Sequence, residues 1–183
     1  MSAQRTVRLG TRASRLALAQ TELVAGRLRS RGWSVELVRV RTTGDDRPPG
    51  TSPGEGMFVT ALVQALERDE IDVAAHSAKD LPLEERPGIA TVHLVRADPR
   101  DALVTRDGGA TLDRLPHGAH VGTDSPRRSG FLRAVRPDLD VRPLQGNVDT
   151  RLRKLDEAEV DALALASAGL DRLGLAGRID CRL

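Results

Sequence analysis

Strand-like runs and amphipathic helical runs take turns along almost the whole chain, and this rhythm constrains the fold more than any other feature. Strand patterns fall at 7–9, 35–40, 71–75, 91–95, 102–105, 119–121, 141–144 and 161–165. Helical spacing covers 14–31, 57–68, 126–135, 148–158 and 167–173. Such a sequence builds an α/β protein whose helices cross over between strands, so parallel-rich sheets are expected. In the first helix Leu16, Ala19, Leu23, Ala25 and Leu28 are available for the packed face, and Gly32 closes the C-terminal end. Residues 42–56, rich in Gly, Pro, Thr and Asp, read as a loop, as do 82–88. A turn at 97–101 separates two alternating sets, which predicts two compact units, residues 1–98 and 99–183.

At 183 residues the chain is long enough for real cores, but aromatics make up only 2% of it, so Ala, Val and Leu must fill them. No apolar run reaches the roughly 18 residues of a membrane span. The N-terminus leads straight into a strand pattern without the apolar stretch of a signal peptide. The single cysteine, Cys181, excludes an internal disulfide and favours a reducing compartment, so a cytoplasmic protein is expected. Twenty-eight basic residues against 26 acidic ones leave a net charge of +2. The only aromatics, Trp33, Phe58 and Phe131, are scattered, whereas a nucleic-acid binder shows a basic stripe with stacking rings. His93, His117 and His120 lack metal-ligand spacing with Cys181 or with one another, so no metal is expected.

Ligands in open α/β sheets bind beyond the carboxyl ends of the strands, where helix N-termini point. The chemically able residues fall there. Arg12 and Ser14 follow the first strand, and His76-Ser-Ala-Lys79-Asp80 follows the strand at 71–75. Ser125, Arg127 and Arg128 follow the strand at 119–121, while Gly146, Asn147 and Arg151 follow the one at 141–144. Helix-start N–H groups bind anions, and arginine forks add bidentate recognition of carboxylates. The set suits a ligand with several carboxylates and an NH-rich, cation-forming centre. Plainer readings stand beside this one. Asp80, before Leu81-Pro82, also suits a turn cap; Arg127 and Arg128 suit a solvated helix start; Arg151 and Lys154 suit an exposed helix face. His76 reads as a packed, hydrogen-bonded histidine, and Phe58 equally as core.

In order along the chain, the stretches Leu9-Gly-Thr-Arg-Ala-Ser-Arg-Leu-Ala-Leu18, Thr43-Gly-Asp45, Gly54-Glu-Gly-Met-Phe58, Val73-Ala-Ala-His-Ser-Ala-Lys-Asp-Leu-Pro82, Asp98-Pro-Arg-Asp101, Val121 to Arg128, Gly146-Asn-Val-Asp-Thr-Arg-Leu152 and Ala168-Gly-Leu-Asp-Arg-Leu-Gly174 resemble the porphobilinogen deaminase (hydroxymethylbilane synthase) family. The resemblance implies two lobes like those of type II periplasmic binding proteins, with parallel-rich mixed sheets and a cleft between them. It implies condensation of porphobilinogen, with loss of ammonia, into hydroxymethylbilane for porphyrin and heme biosynthesis. By motif position it makes Asp80 the catalytic carboxylate. Arg12, Ser14, Arg151 and Arg172 become grips for substrate acid groups, with Phe58 near a pyrrole ring. Ser77, Lys79, Ser125, Arg127, Arg128 and Asn147 become contacts of a bound dipyrromethane cofactor.

Several features depart from the family pattern. The family attaches its dipyrromethane to a cysteine in a third domain, and that domain is expected to be absent here. Cys181 lacks the glycine-flanked setting of that anchor. Glu55, Gln145 and Asp149 replace basic or neutral residues, and each lost charge-assisted bond costs about 1.5–3 kcal/mol. Three functions follow as expectations: a transferase of this family; a module that binds porphobilinogen or another polycarboxylate without turnover; or a subunit whose missing domain comes from a partner chain. No nucleic-acid or membrane partner is expected. Apolar surface left uncovered predicts self-association.

Overall fold

Val7–Thr11 forms β1, and Ser14 then starts a helix by accepting a hydrogen bond from Ala17 N through its hydroxyl at 3.3 Å. That helix, α1, spans Arg15–Arg29, ends with Arg27 and Arg29 at its negative pole, and gives way to Gly32 at φ 86°. The computed structural model describes residues 6–41, 59–82 and 86–183. They divide into two units, Met1–Leu94 and Val95–Leu183. The expected loop at 42–56, with Glu55, lies outside the described residues, as do Phe58 and residues 83–85.

In the first unit β2 (Val35–Arg39) and β3 (Val73–Ala74) flank β1, all parallel, with α2 (Thr60–Glu67) before β3. Leu62, Ala65 and Ile71 make the buried cluster, joined by Val38, Val40, Leu66 and Ala74. Gly10 lets the layers close: a Cβ there would stand 2.3 Å from Ile71 Cδ1 and 2.9 Å from Leu62 Cδ2. The packed face of α1 differs from expectation. Leu23 is 53% exposed, while Thr21 is fully buried, its Oγ1 lying 2.7 Å from Thr11 Oγ1 and 2.8 Å from Ala17 O. Two hydroxyls that satisfy each other can occupy an interior position that hydrophobicity alone assigns to leucine.

The second unit holds a five-stranded sheet in the order β6-β5-β7-β4-β8: β4 is Asp101–Thr105, β5 His120–Gly122, β6 Asp140–Arg142, β7 Ala162–Ala166 and β8 Cys181–Arg182. β5 runs parallel to β6 and β7, whereas β4 runs antiparallel to β7 and β8. α3 (Pro126–Val135), α4 (Val148–Asp156) and α5 (Ser167–Arg172) complete it. Alternate residues serve opposite faces. Ala102, Val104, Leu163 and Leu165 pack with Leu152, Leu155 and Leu170, while Leu103, Ala162 and Ala164 pack with Val121, Leu132 and Val141. Burial on both faces explains the unbroken apolar run of β7.

The strand expected at 91–95 is not formed: Val92 and Val95 are each 83% exposed, and no strand pairs with them among the described residues. β-branched composition expresses itself as strand only where a neighbour supplies ladder partners and packing. β8 escaped the sequence reading because two residues carry no periodicity.

Candidate functional site

The parallel pairing of β1 with β3 matches Leu9 to Val73 and Gly10 to Ala74, and Ala75 N continues the ladder to Gly10 O at 3.0 Å. Both strands therefore deliver their following residues to one edge. Arg12 and Ser14 arrive from β1, and His76 to Asp80 from β3. Asp80 closes a 3₁₀ turn, Ala78–Asp80, in which its N–H donates to Ser77 O at 2.9 Å. Ser77 Oγ lies 2.9 Å from Gln20 Nε2, which ties the turn to α1. Lys79 is exposed on the same turn, and Asp80 is half-buried. The His76 imidazole is held below the usual histidine range, chiefly by burial; Asp80 opposes the shift and Arg12 adds to it. Its Nε2 is shielded and finds no hydrogen-bond partner among the described residues.

The second unit presents a comparable edge beyond β5 and β6. Ser125 caps α3, its Oγ accepting from Arg128 N at 3.4 Å, with Pro126 in the first turn. Arg127 Nη2 and Arg128 Nε each donate to Asp101, at 2.7 and 2.8 Å. Two guanidiniums share one carboxylate, so one positive charge remains. Arg127 also stands over the Phe131 ring, 5.9 Å from its centroid. Asn147 starts α4 without a side-chain cap bond, and Arg151 Nε donates to Gly146 O at 2.8 Å. The leading N–H groups of α4 point to the same edge and favour anions, although Asp149 in that first turn opposes them. Arg172 lies in the last turn of α5 rather than at a helix start.

Cys181 pairs with Leu103 across the sheet and packs against the apolar cluster of Leu103, Val121 and Leu132, while burial pushes its thiol up from the ordinary value. A thiolate nucleophile or anchor needs the reverse environment. No group of three or more potential metal ligands occurs among the described residues, and no helix among them is long and apolar enough to cross a membrane.

The fold resembles the methionine-binding protein MetQ, with a TM-score of 0.56 at 17% identity over 97% of this chain and 77% of that one. It also resembles the VFT2 domain of Bordetella pertussis BvgS, with a TM-score of 0.53 at 17% identity over 97% and 75%. These likenesses define the class, that of the type II periplasmic-binding-protein fold. The family model described as porphobilinogen deaminase, dipyromethane cofactor binding domain, matches residues 7–183, and the chain belongs to the porphobilinogen deaminase family. It is 54% identical to the porphobilinogen deaminase of Acidothermus cellulolyticus over 171 residues, covering 91% of this chain and 51% of that one. It is 50% identical to that of Corynebacterium efficiens over 174 residues, covering 94% and 58%. The chain thus spans about half the length of the curated relatives it matches.

Proposed function

We propose that the chain binds porphobilinogen and takes part in its deaminating condensation into hydroxymethylbilane, the tetrapyrrole chemistry of its family. One observation carries the reading: Arg12 and Asp80 leave adjacent parallel strands at the same edge, one cation and one carboxylate beside a helix start. Arg12 grips a substrate acid group, with the α1 start and Ser14 beside it. Asp80 accepts hydrogen bonds from the pyrrole N–H. As the aminomethyl C–N bond breaks and ammonia leaves, the ring becomes a cation, and a fixed carboxylate nearby stabilises that developing charge. A second pyrrole carbon then attacks the exocyclic methylene carbon, and the ring proton it loses restores aromaticity.

The cationic edge of the second unit fits a dipyrromethane through that group's acid side chains. Arg127, Arg128 and Ser125 would hold them, with Asn147, Arg151 and the α4 start adjacent. Arg172 would serve a further acid group, and the first unit offers Ser77 and Lys79 for acid side chains at its own edge. A dipyrromethane supplies the chain end on which the family builds. Cys181, packed in β8 with a raised thiol, does not fit as its attachment point.

That misfit favours a second reading, in which the chain binds without turnover or acts with a partner chain. Calorimetric titration with porphobilinogen, combined with an ammonia-release assay, separates the readings. Binding lost in Arg12→Ala and ammonia release lost in Asp80→Asn support the first. Binding without release supports the second, as does release only on mixing with another chain. Absence of saturable binding rejects both. We also propose that exposed Val92, Leu94 and Val95 promote self-association, which sedimentation velocity at rising concentration tests.

A further inference from the structure

A buried nitrogen without a hydrogen-bond partner lies beside the carboxylate edge. His76 leaves β3 two residues after Ala74, and its Nε2 is sealed from solvent with no hydrogen-bond partner among the described residues. Ser77 and Gln20 engage each other, so α1 offers His76 no charge from that position. The charged groups that bear on the imidazole are Asp80 from the 3₁₀ turn and Arg12 from the turn after β1, and exposed Lys79 follows three residues on. A neutral imidazole always has one donor and one acceptor nitrogen, and leaving either buried and unmet is unfavourable.

We infer that His76 is a further substrate-binding residue, whose Nε2–H, shielded in the free protein, turns on binding to the carboxylate of the ligand that Arg12 grips beside Asp80. The inference rests on the porphobilinogen reading given above and deepens it. A second guanidinium at this position would serve the same carboxylate, but it would also neutralise Asp80. An uncharged donor adds a hydrogen bond and leaves the aspartate charge whole for the cation that forms on the ring. Burial favours the uncharged imidazole that this role needs.

The test is calorimetric titration of porphobilinogen into the wild type, His76→Phe, His76→Gln and Arg12→Ala, joined to ¹⁵N spectra of the histidines. His76→Phe is expected to weaken binding about tenfold, the loss of one hydrogen bond to a charged group, and His76→Gln to stay within about threefold of the wild type because it keeps a neutral donor. In the wild type, saturation moves the His76 Nε2 resonance and leaves exposed His93 and His117 unmoved. That spectrum decides the matter even where His76→Phe folds poorly. Binding that Arg12→Ala abolishes, with a still Nε2 resonance and an indifferent His76→Gln, overturns the histidine's role alone. No saturable binding by the wild type overturns the underlying site as well.

Discussion

Arg128 Nε donates to Asp101 Oδ1 at 2.8 Å, and the two side chains are only 12% and 14% exposed. The contact follows from strand direction. β4 runs antiparallel to β7, so its first residue, Asp101, lies opposite Ala166, at the edge where β5, β6 and β7 end. Asp101→Asn leaves a mostly buried guanidinium facing a neutral partner. It is expected to lower the stability of the second unit by about 1–3 kcal/mol. Arg127→Ala, which removes a side chain that is itself 58% exposed from the same carboxylate, should cost at most about 1 kcal/mol. Urea midpoints at unchanged slope check both values.

The glycines offer a prediction with opposite signs. Gly146 sits at φ 115°, and a Cβ there would meet Thr150 Cγ2 at 2.7 Å and Cβ at 2.8 Å. Thr150 is β-branched and stiff, so it cannot turn aside. Gly146→Ala should therefore cost about 1–3 kcal/mol and shift the α4 start. Gly26, on the exposed side of α1, has nothing within 4 Å of its Cβ position. Gly26→Ala should raise stability by about 0.5–1 kcal/mol, because alanine removes backbone freedom from the unfolded chain. Chemical denaturation of the two variants should move in opposite directions.

Much of this architecture was legible in the chain. Pro126–Val135 reads directly from a serine cap, a proline and an apolar period, and the motif at 76–80 lands at a strand end as expected. What escaped depended on partners far away in sequence. The antiparallel sense of β4 has no local signature, so Asp101 did not declare itself as the counter-charge of Arg127 and Arg128. Thr21, outside the apolar face read for α1, is buried through its contact with Thr11. Residues 91–95 carry strand composition but meet no neighbouring strand. The orphaned Nε2 of His76 is likewise a fact of burial, invisible to spacing.

Acid should weaken the fold through two carboxylates. Asp98 is held down to about 2 by hydrogen bonds from Arg100, and Asp138 to about 2 by the side-chain hydrogen bonds of Arg136. That same guanidinium also donates to Leu112 O and Leu115 O. The folded values lie below the ordinary 3.8, so the stabilisation is complete above that pH and is lost as pH falls toward 2. His76 acts in a higher window. Its folded value lies below 6.5, so the unfolded chain takes up a proton first and stability declines as pH drops below 6.5. Thermal melts should show a shallow loss below pH 6.5, removed in His76→Gln, and a second below pH 4, reduced in Asp138→Asn. An unchanged acid slope in Asp138→Asn would discredit the assignment of that ion pair.

Asp80→Asn isolates charge from shape. The amide keeps the size of the carboxylate and one accepting oxygen, and the backbone bond from residue 80 to Ser77 O does not involve the side chain. Ground-state binding of porphobilinogen should therefore change little. The cation formed on loss of ammonia, however, would meet a dipole in place of a full negative charge. Removing one such preorganised electrostatic contact typically lowers turnover by about 10²–10³. Arg12→Ala should act on binding instead, at a cost of about 1.5–3 kcal/mol for one charge-assisted contact. Ammonia release and calorimetry on the same samples separate the two effects. An Asp80→Asn variant that releases ammonia at the wild-type rate would place the stabilising charge on another residue.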